Sequence, residues 1–218
     1  MANLLLTKID LSDWDEIIDG HYRAFAEEPF CGLHRGSNTP RNREIFKQQC
    51  VDGYLTQSNS VWLKVIDVNN ERKILGVANY KVKPTYVPLE KTEPDAEMGW
   101  LEDAEDKRIL AAMITDIVAR RLRNVKEGHI FLETLFVLPG FQGRGIGSQL
   151  VKWGRDLADR LMVPIWLESS VEAHNLYLHH GFDDVEPSRM VMGKWDIEYS
   201  LMRREPNSNT LALDEAAD

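Results

Sequence analysis

Two cysteines in 218 residues are too few for a disulfide scaffold, and Cys31 and Cys50 lack the spacing of metal ligands. They read as free thiols of a reducing compartment, which makes the cytoplasm the expected location. No apolar run approaches the roughly 18 residues that a spanning helix needs, so no membrane partner is expected. The first residues, Met1 to Thr7, carry no basic cluster and too short an apolar stretch for a signal peptide. Positive charge is scarce too: 26 Lys and Arg stand against 35 Asp and Glu, a formal net charge of −9. That argues against a nucleic-acid partner and suits a cationic substrate such as an amine, though it equally serves plain solubility. Two acidic stretches, Glu90 to Asp106 and Asp214 to Asp218, hold much of the surplus. No internal repeat and no linker divides the chain.

What is present is a hydrophobic share of 43%, enough for one core. The pattern predicts a single domain over 1–205, with a polar, acidic tail at 206–218 expected to be disordered. Helical spacing of Trp14, Ile17, Ile18, Tyr22 and Phe25 predicts a first helix after Ser12, ended by Pro29. Cys31 to Pro40 reads as loop, and Arg41 to Leu55 as a second helix. Ser60–Val68 and Ile74–Val82 alternate as two strands of a hairpin. Pro84 to Pro94 reads as loop, and Met98 to Lys126 as one long charged helix. Ile130 to Leu138 is apolar on both parities apart from Glu133 and Thr134, as in a central strand covered on both faces. After it, Ile146, Leu150, Trp153, Leu157 and Leu161 line one side of a helix. Pro164–Ser169 reads as a strand, Val171–His180 as a short helix closed by Gly181, and Phe182–Val185 and Asp196–Met202 as strands.

The segment Val137-Leu-Pro-Gly-Phe-Gln-Gly-Arg-Gly-Ile-Gly-Ser148 joins that central strand to the following helix. Its glycines let backbone approach a ligand, and a helix start offers unpaired N–H groups and a partial positive charge. Together these make a site for phosphate oxygens. A P-loop requires Gly-Lys-Ser/Thr, and no lysine is here. The G-x-G-x-x-G dinucleotide fingerprint fails as well, because Ser148 or Leu150 falls on its last position. What remains, Gln142-x-x-Gly145-x-Gly147, resembles the pyrophosphate motif of the GNAT superfamily of acyl-CoA-dependent N-acyltransferases. Leu132-x-x-Leu135-x-Val137-x-Pro139-x-x-Gln142 resembles that family's fourth strand and its exit. Ala173-x-x-Leu176-Tyr177-x-x-x-Gly181-Phe182 resembles its second signature, in the expected order.

The resemblance implies an α+β fold: a mixed, mainly antiparallel sheet with helices on both faces, splayed between strands 4 and 5 (130–138 and 164–169). It implies acetyl-CoA as co-substrate, no metal, and backbone contacts from Gln142, Gly143, Arg144, Gly145, Ile146, Gly147 and Ser148 to the pyrophosphate. Ser170, and the strand amides of Leu135, Phe136 and Val137, would complete the cofactor site. One of those amides polarises the thioester carbonyl. Arg144 either adds a charge-assisted contact or is merely solvated, and Gln142 either opens the loop or packs its turn.

An alkyl amine with pKa about 10.4 is neutral in only about one part in 2,500 at pH 7, a deficit of about 4.6 kcal/mol, so a base is useful. Glu133, on the parity of Leu135 and Val137 and expected to be buried, is the first candidate; its alternative is a carboxylate at the strand mouth paired with a cation. Glu168 is the second, with a structural role as its alternative. Tyr177 occupies the family's general-acid position, or else anchors its helix in the core. His174, His179 and His180 read as surface or helix-end residues. Phe25, Phe30, Trp62 and Tyr80 are candidates for the acceptor wall, though each reads first as core. The expected activity is transfer of acetyl to the primary amine of a small molecule, by a monomer or homodimer. Acetylation of protein amines and a non-catalytic acyl-CoA-binding module are the alternatives.

Overall fold

The computed structural model describes residues 3–87 and 98–207. Seven strands form one sheet in the order β1-β2-β3-β4-β5-β7-β6. They are β1 Leu4–Lys8, β2 Ser60–Asp67, β3 Lys73–Lys83, β4 His129–Val137, β5 Ile165–Ser170, β6 Asp183–Met192 and β7 Trp195–Arg204. Every neighbouring pair is antiparallel except β4 and β5, which run parallel. The helices are α1 Trp14–Ala24, α2 Pro29–Arg35, α3 Pro40–Thr56, α4 Ala104–Asn124, α5 Ile146–Leu161 and α6 Val171–His179. This is the α+β architecture that the sequence implied. No helix among the described residues is long and apolar enough to cross a membrane. Cys31 and Cys50 are both free.

The largest core lies between the sheet and α5, where Leu150, Val151 and Ala158 meet Leu63, Leu75, Ile130 and Leu167. Tyr80 drives the close approach. Its hydroxyl donates to Leu150 O at 2.8 Å, and its ring fills the space a Cβ on Gly154 would take, with Cε1 2.4 Å from that point. On the opposite face Trp14 and Ile17 of α1 pack on Ile66, Val77 and Phe136. A third cluster, with Leu33, Leu110, Met113 and Ile197, joins α2, α4 and β7.

Several boundaries differ from the sequence expectation. A first strand, β1, was not predicted; it is a half-buried edge strand held by β2. Residues 31–40 are not all loop, because Pro29 starts α2 at its first turn and the Glu28 side chain accepts from Cys31 N at 2.6 Å. Met98 to Asp103 lie outside α4, whose N-cap is Asp103. The last two strands are longer than predicted and close into a hairpin at Gly193, φ 57°. Of the predicted loop at 84–94 and tail at 206–218, residues 88–94 and 208–218 lie outside the described residues.

Candidate active site

The glycine loop behaves as a cradle. Gly143 and Gly145 have φ of 71° and 80°, a region that L side chains avoid, and a Cβ built on either meets nothing within 4 Å. The glycines therefore serve the backbone path, and the space beside them is open. Gly145 is the N-cap of α5, and no side chain caps this end. The first intrahelical bond is Gln149 N to Gly145 O at 3.0 Å, so the N–H groups of Ile146, Gly147 and Ser148 have no partner within the helix. Gly147 brings α5 onto α6, with Leu176 Cδ2 only 3.3 Å from an added Cβ. Gln142 Nε2 reaches back across the turn to Val137 O at 3.4 Å. Arg144 is exposed, its guanidinium 5.2 Å from the Phe141 ring centre.

Beside the loop the sheet opens. β4 pairs β5 only over Ile130–Leu132 with Ile165–Leu167, after which the strands part. A β-bulge sits at the divergence: Asn79 pairs Thr134 and Tyr80 pairs Leu132, leaving Glu133 as the extra residue. It reverses the alternation. Ile130 and Leu132 face the α5 core before the bulge, Leu135 and Val137 after it. Leu138 N–H bonds to Leu75 O on the β3 side, so alternation turns the amides of Leu135 and Val137 toward the gap. The Gln142 contact to Val137 O agrees with that orientation. Phe136 turns the other way, with its ring in the α1 cluster.

Glu133 consequently does not share the parity of Leu135 and Val137, and it is not buried. Its side chain is 36% exposed on the α1–α3 face, where it accepts from Asn79 Nδ2 at 3.2 Å and faces Lys81 Nζ at 3.6 Å. Glu168 forms a two-pronged pair with Arg121 at 2.7 and 2.6 Å, the structural role.

A cavity of about 530 Å³ runs from the gap to the opposite face of the sheet. Tyr177, Ser170 and Leu135 line one end; Glu133, Asn79 and Lys81 line the middle; side chains of α1, α2 and α3 line the other end. Tyr177 is buried in contact with Phe182, and desolvation pushes its phenol well above the usual range. Phe25, Phe30 and Trp62 line the cavity as expected of wall residues, whereas Tyr80 belongs to the core. His174, His179 and His180 bond Asp184, Asn175 O and Arg155 and take no part in the cavity wall.

Sequence reasoning missed His21, His34 and Arg35, which α1 and α2 bring to the far end of the cavity. Burial lowers the pKa of His21 to about 3, with the Arg35 charge adding to the effect, and burial likewise holds His34 down. Both imidazoles are thereby held in the neutral form. No local signal marks these residues, because the cavity is assembled from segments more than a hundred positions apart.

Comparison with known proteins gives a consistent result. The model of the acetyltransferase (GNAT) family matches residues 38–182. An uncharacterised N-acetyltransferase of Schizosaccharomyces pombe is 38% identical over 61 residues, 28% of this chain and 26% of that relative's length. Among solved structures, arylalkylamine N-acetyltransferase 2 from Aedes aegypti superposes with a TM-score of 0.67 at 16% identity, covering 94% of this chain and 100% of that one. A histone acetyltransferase HPA2 and related acetyltransferase from Corynebacterium glutamicum gives 0.60 at 18%, covering 95% and 98%. At such identities these two structures speak for the fold.

Proposed function

The chain belongs to the GNAT acetyltransferase family, whose members use acetyl-CoA as co-substrate, and on that premise we propose that it moves an acetyl group from acetyl-CoA to the primary amine of a small molecule. The observation that carries this reading is the continuous cavity from the strand gap to a pocket walled by α1, α2 and α3. A donor entering at the gap and an acceptor entering between the helices would meet beside Leu135.

The amides of Ile146, Gly147 and Ser148 hold the pyrophosphate, with the partial positive charge of the α5 N-terminus behind them. The Leu135 and Val137 N–H groups polarise the thioester carbonyl, stabilising charge as it develops on oxygen. Glu133, on the acceptor face, takes the proton from the attacking nitrogen, directly or through one water. As the C–S bond breaks, Tyr177 meets the departing sulfur. Its raised pKa keeps the phenol protonated at every working pH, so it acts first as a hydrogen-bond donor to the thiolate. The acceptor end, a concave space with Phe25, Phe30 and Cys50 in its wall, suits a small amine.

Titration calorimetry of the purified protein with acetyl-CoA and with ATP tests the cofactor half; binding of ATP alone refutes it. Release of free thiol from acetyl-CoA across small amines and basic peptides tests the acceptor half, and turnover of peptides alone overturns the small-molecule reading. Tyr177→Phe is expected to lower kcat about 10- to 100-fold with little change in acetyl-CoA affinity. Glu133→Gln is expected to cost a similar factor with alkyl amines and far less with arylamines, which are already neutral. Equal losses with both amine classes would remove Glu133 as base.

A further inference from the structure

Three cations line the cavity, Lys81, Arg121 and Arg35. Lys81 faces Glu133 and Arg121 is forked onto Glu168. Arg35 forms no contact ion pair among the described residues, and the nearest carboxylate charge acting on it is that of Glu133, across the cavity. Its guanidinium lies 4.2 Å from the Phe46 ring centre, Nη1 reaches Gln49 Oε1 only at 3.5 Å, and Nε is fully enclosed with no acceptor. Cys31, Cys50, His21 and His34, also in the wall at this end, are neutral, since burial raises both thiols and lowers both imidazoles. The position is fixed from two sides. Tyr22 Oη donates to Arg35 O at 3.0 Å, and the Gly36 turn that follows, φ 71°, is held against Trp100 O by Asn42 Nδ2.

A part-buried guanidinium with no contact ion pair is costly. The cavity wall also carries Glu28, Glu133, Glu168 and Glu198, which outnumber its three cations, so the ammonium end of a substrate is tolerated while Arg35 stays unmatched. The C-terminal end of α2 offsets part of that charge, but the guanidinium itself is turned onto Phe46, leaving its outer nitrogens free to form a planar fork. We propose that the acceptor is an amine that also bears a carboxylate, and that Arg35 receives this carboxylate while Glu133 faces the amine. The carboxylate supplies the contact partner that Arg35 lacks and lets the pocket select among amines. Arg35 lies on the α2 side of the sheet, opposite the α5 loop, so the cofactor's phosphates do not compete for it. This inference rests on the acetyl-transfer reading and names the class of its acceptor.

The test compares matched pairs on the whole protein: phenylalanine with phenethylamine, tryptophan with tryptamine, 4-aminobutyrate with propylamine. Wild-type kcat/KM is expected to favour the carboxylate member of the fitting pair by about 100-fold, the scale of a bidentate charge-assisted contact. Arg35→Met should collapse that ratio toward one, and Arg35→Lys should leave it in between. A wild-type ratio at or below one overturns the inference, and this arm needs no folded variant. The thermal shift of the CoA-saturated wild type by each pair is read in parallel. Larger shifts with the carboxylate member support Arg35 recognition even if no amine turns over, and equal shifts overturn it. Failure to bind acetyl-CoA or to release thiol with every amine strikes the transfer reading instead.

Discussion

At the scale of single residues, His21 carries a measurable consequence. It sits among the rings of Phe25, Phe46 and Phe136 with Nε2 buried and unpartnered, and Arg35 adds a like charge beside it. Its folded pKa of about 3 lies below the unfolded value of 6.5, so the unfolded chain binds the proton first. Stability from this group is complete above pH 6.5 and is lost as pH falls toward 3; at pH 5 the loss is about 2 kcal/mol. His34 titrates in the same sense. His21→Phe should therefore lose less stability than wild type between pH 7 and pH 5 in urea melts, and an identical pH dependence would contradict the buried neutral imidazole. Individual residues were unevenly legible. The glycine loop and Tyr177 stand out because the motifs that single them out are continuous in sequence. Glu133 was found by its oddity in an apolar run, but its exposure was not, since a bulge is invisible without the partner strand. Arg35 gave no signal at all, being one of 26 basic residues until the fold brings it to the cavity wall.

At the scale of elements, α5 shows how closely the helix after the glycine loop is fitted. Gly154→Ala should push the helix off Tyr80 and cost about 1–3 kcal/mol, the range of an overpacked core, read as a lowered midpoint of thermal unfolding. Gly145→Ala puts a Cβ into open space but keeps φ near 80°, so it should cost about 1 kcal/mol in stability. Acetyl-CoA affinity should fall by more than that strain, because the added methyl stands where phosphate oxygens would lie. An unchanged affinity would move the phosphates elsewhere. Strands β2, β3 and β4 and helices α3 and α5 were readable from periodicity to within a residue or two. Helix α2 was lost because Pro29 reads equally as a stop or as a first-turn residue, and capping by Glu28 decides between them. The edge strands β1 and β6 were missed or shortened because one-sided burial leaves too few apolar positions to mark them.

At the scale of the molecule, the sheet is two halves joined by a three-residue parallel ladder. Side-chain ion pairs reinforce that seam. Arg204 of β7 grips Asp159 of α5 at 2.7 and 3.1 Å, both side chains less than a tenth exposed, and Arg121 of α4 grips Glu168 of β5. Arg204→Met should lower stability by about 3–5 kcal/mol in denaturant titration, because it strips a buried carboxylate of its guanidinium. A loss below 1 kcal/mol would mean that this ion pair adds little to the packing that joins the halves. The bulge at Glu133 is also slack in the chain. Leu132 and Thr134 already face consecutive partners, Tyr80 and Asn79, so a one-codon deletion of Glu133 would close the strand into an unbroken ladder with Leu135 and Val137 still on the α5 side. Deleting Phe136 instead would throw its neighbours onto the wrong faces, so a deletion scan read by folding should find 133 far more tolerant than 136.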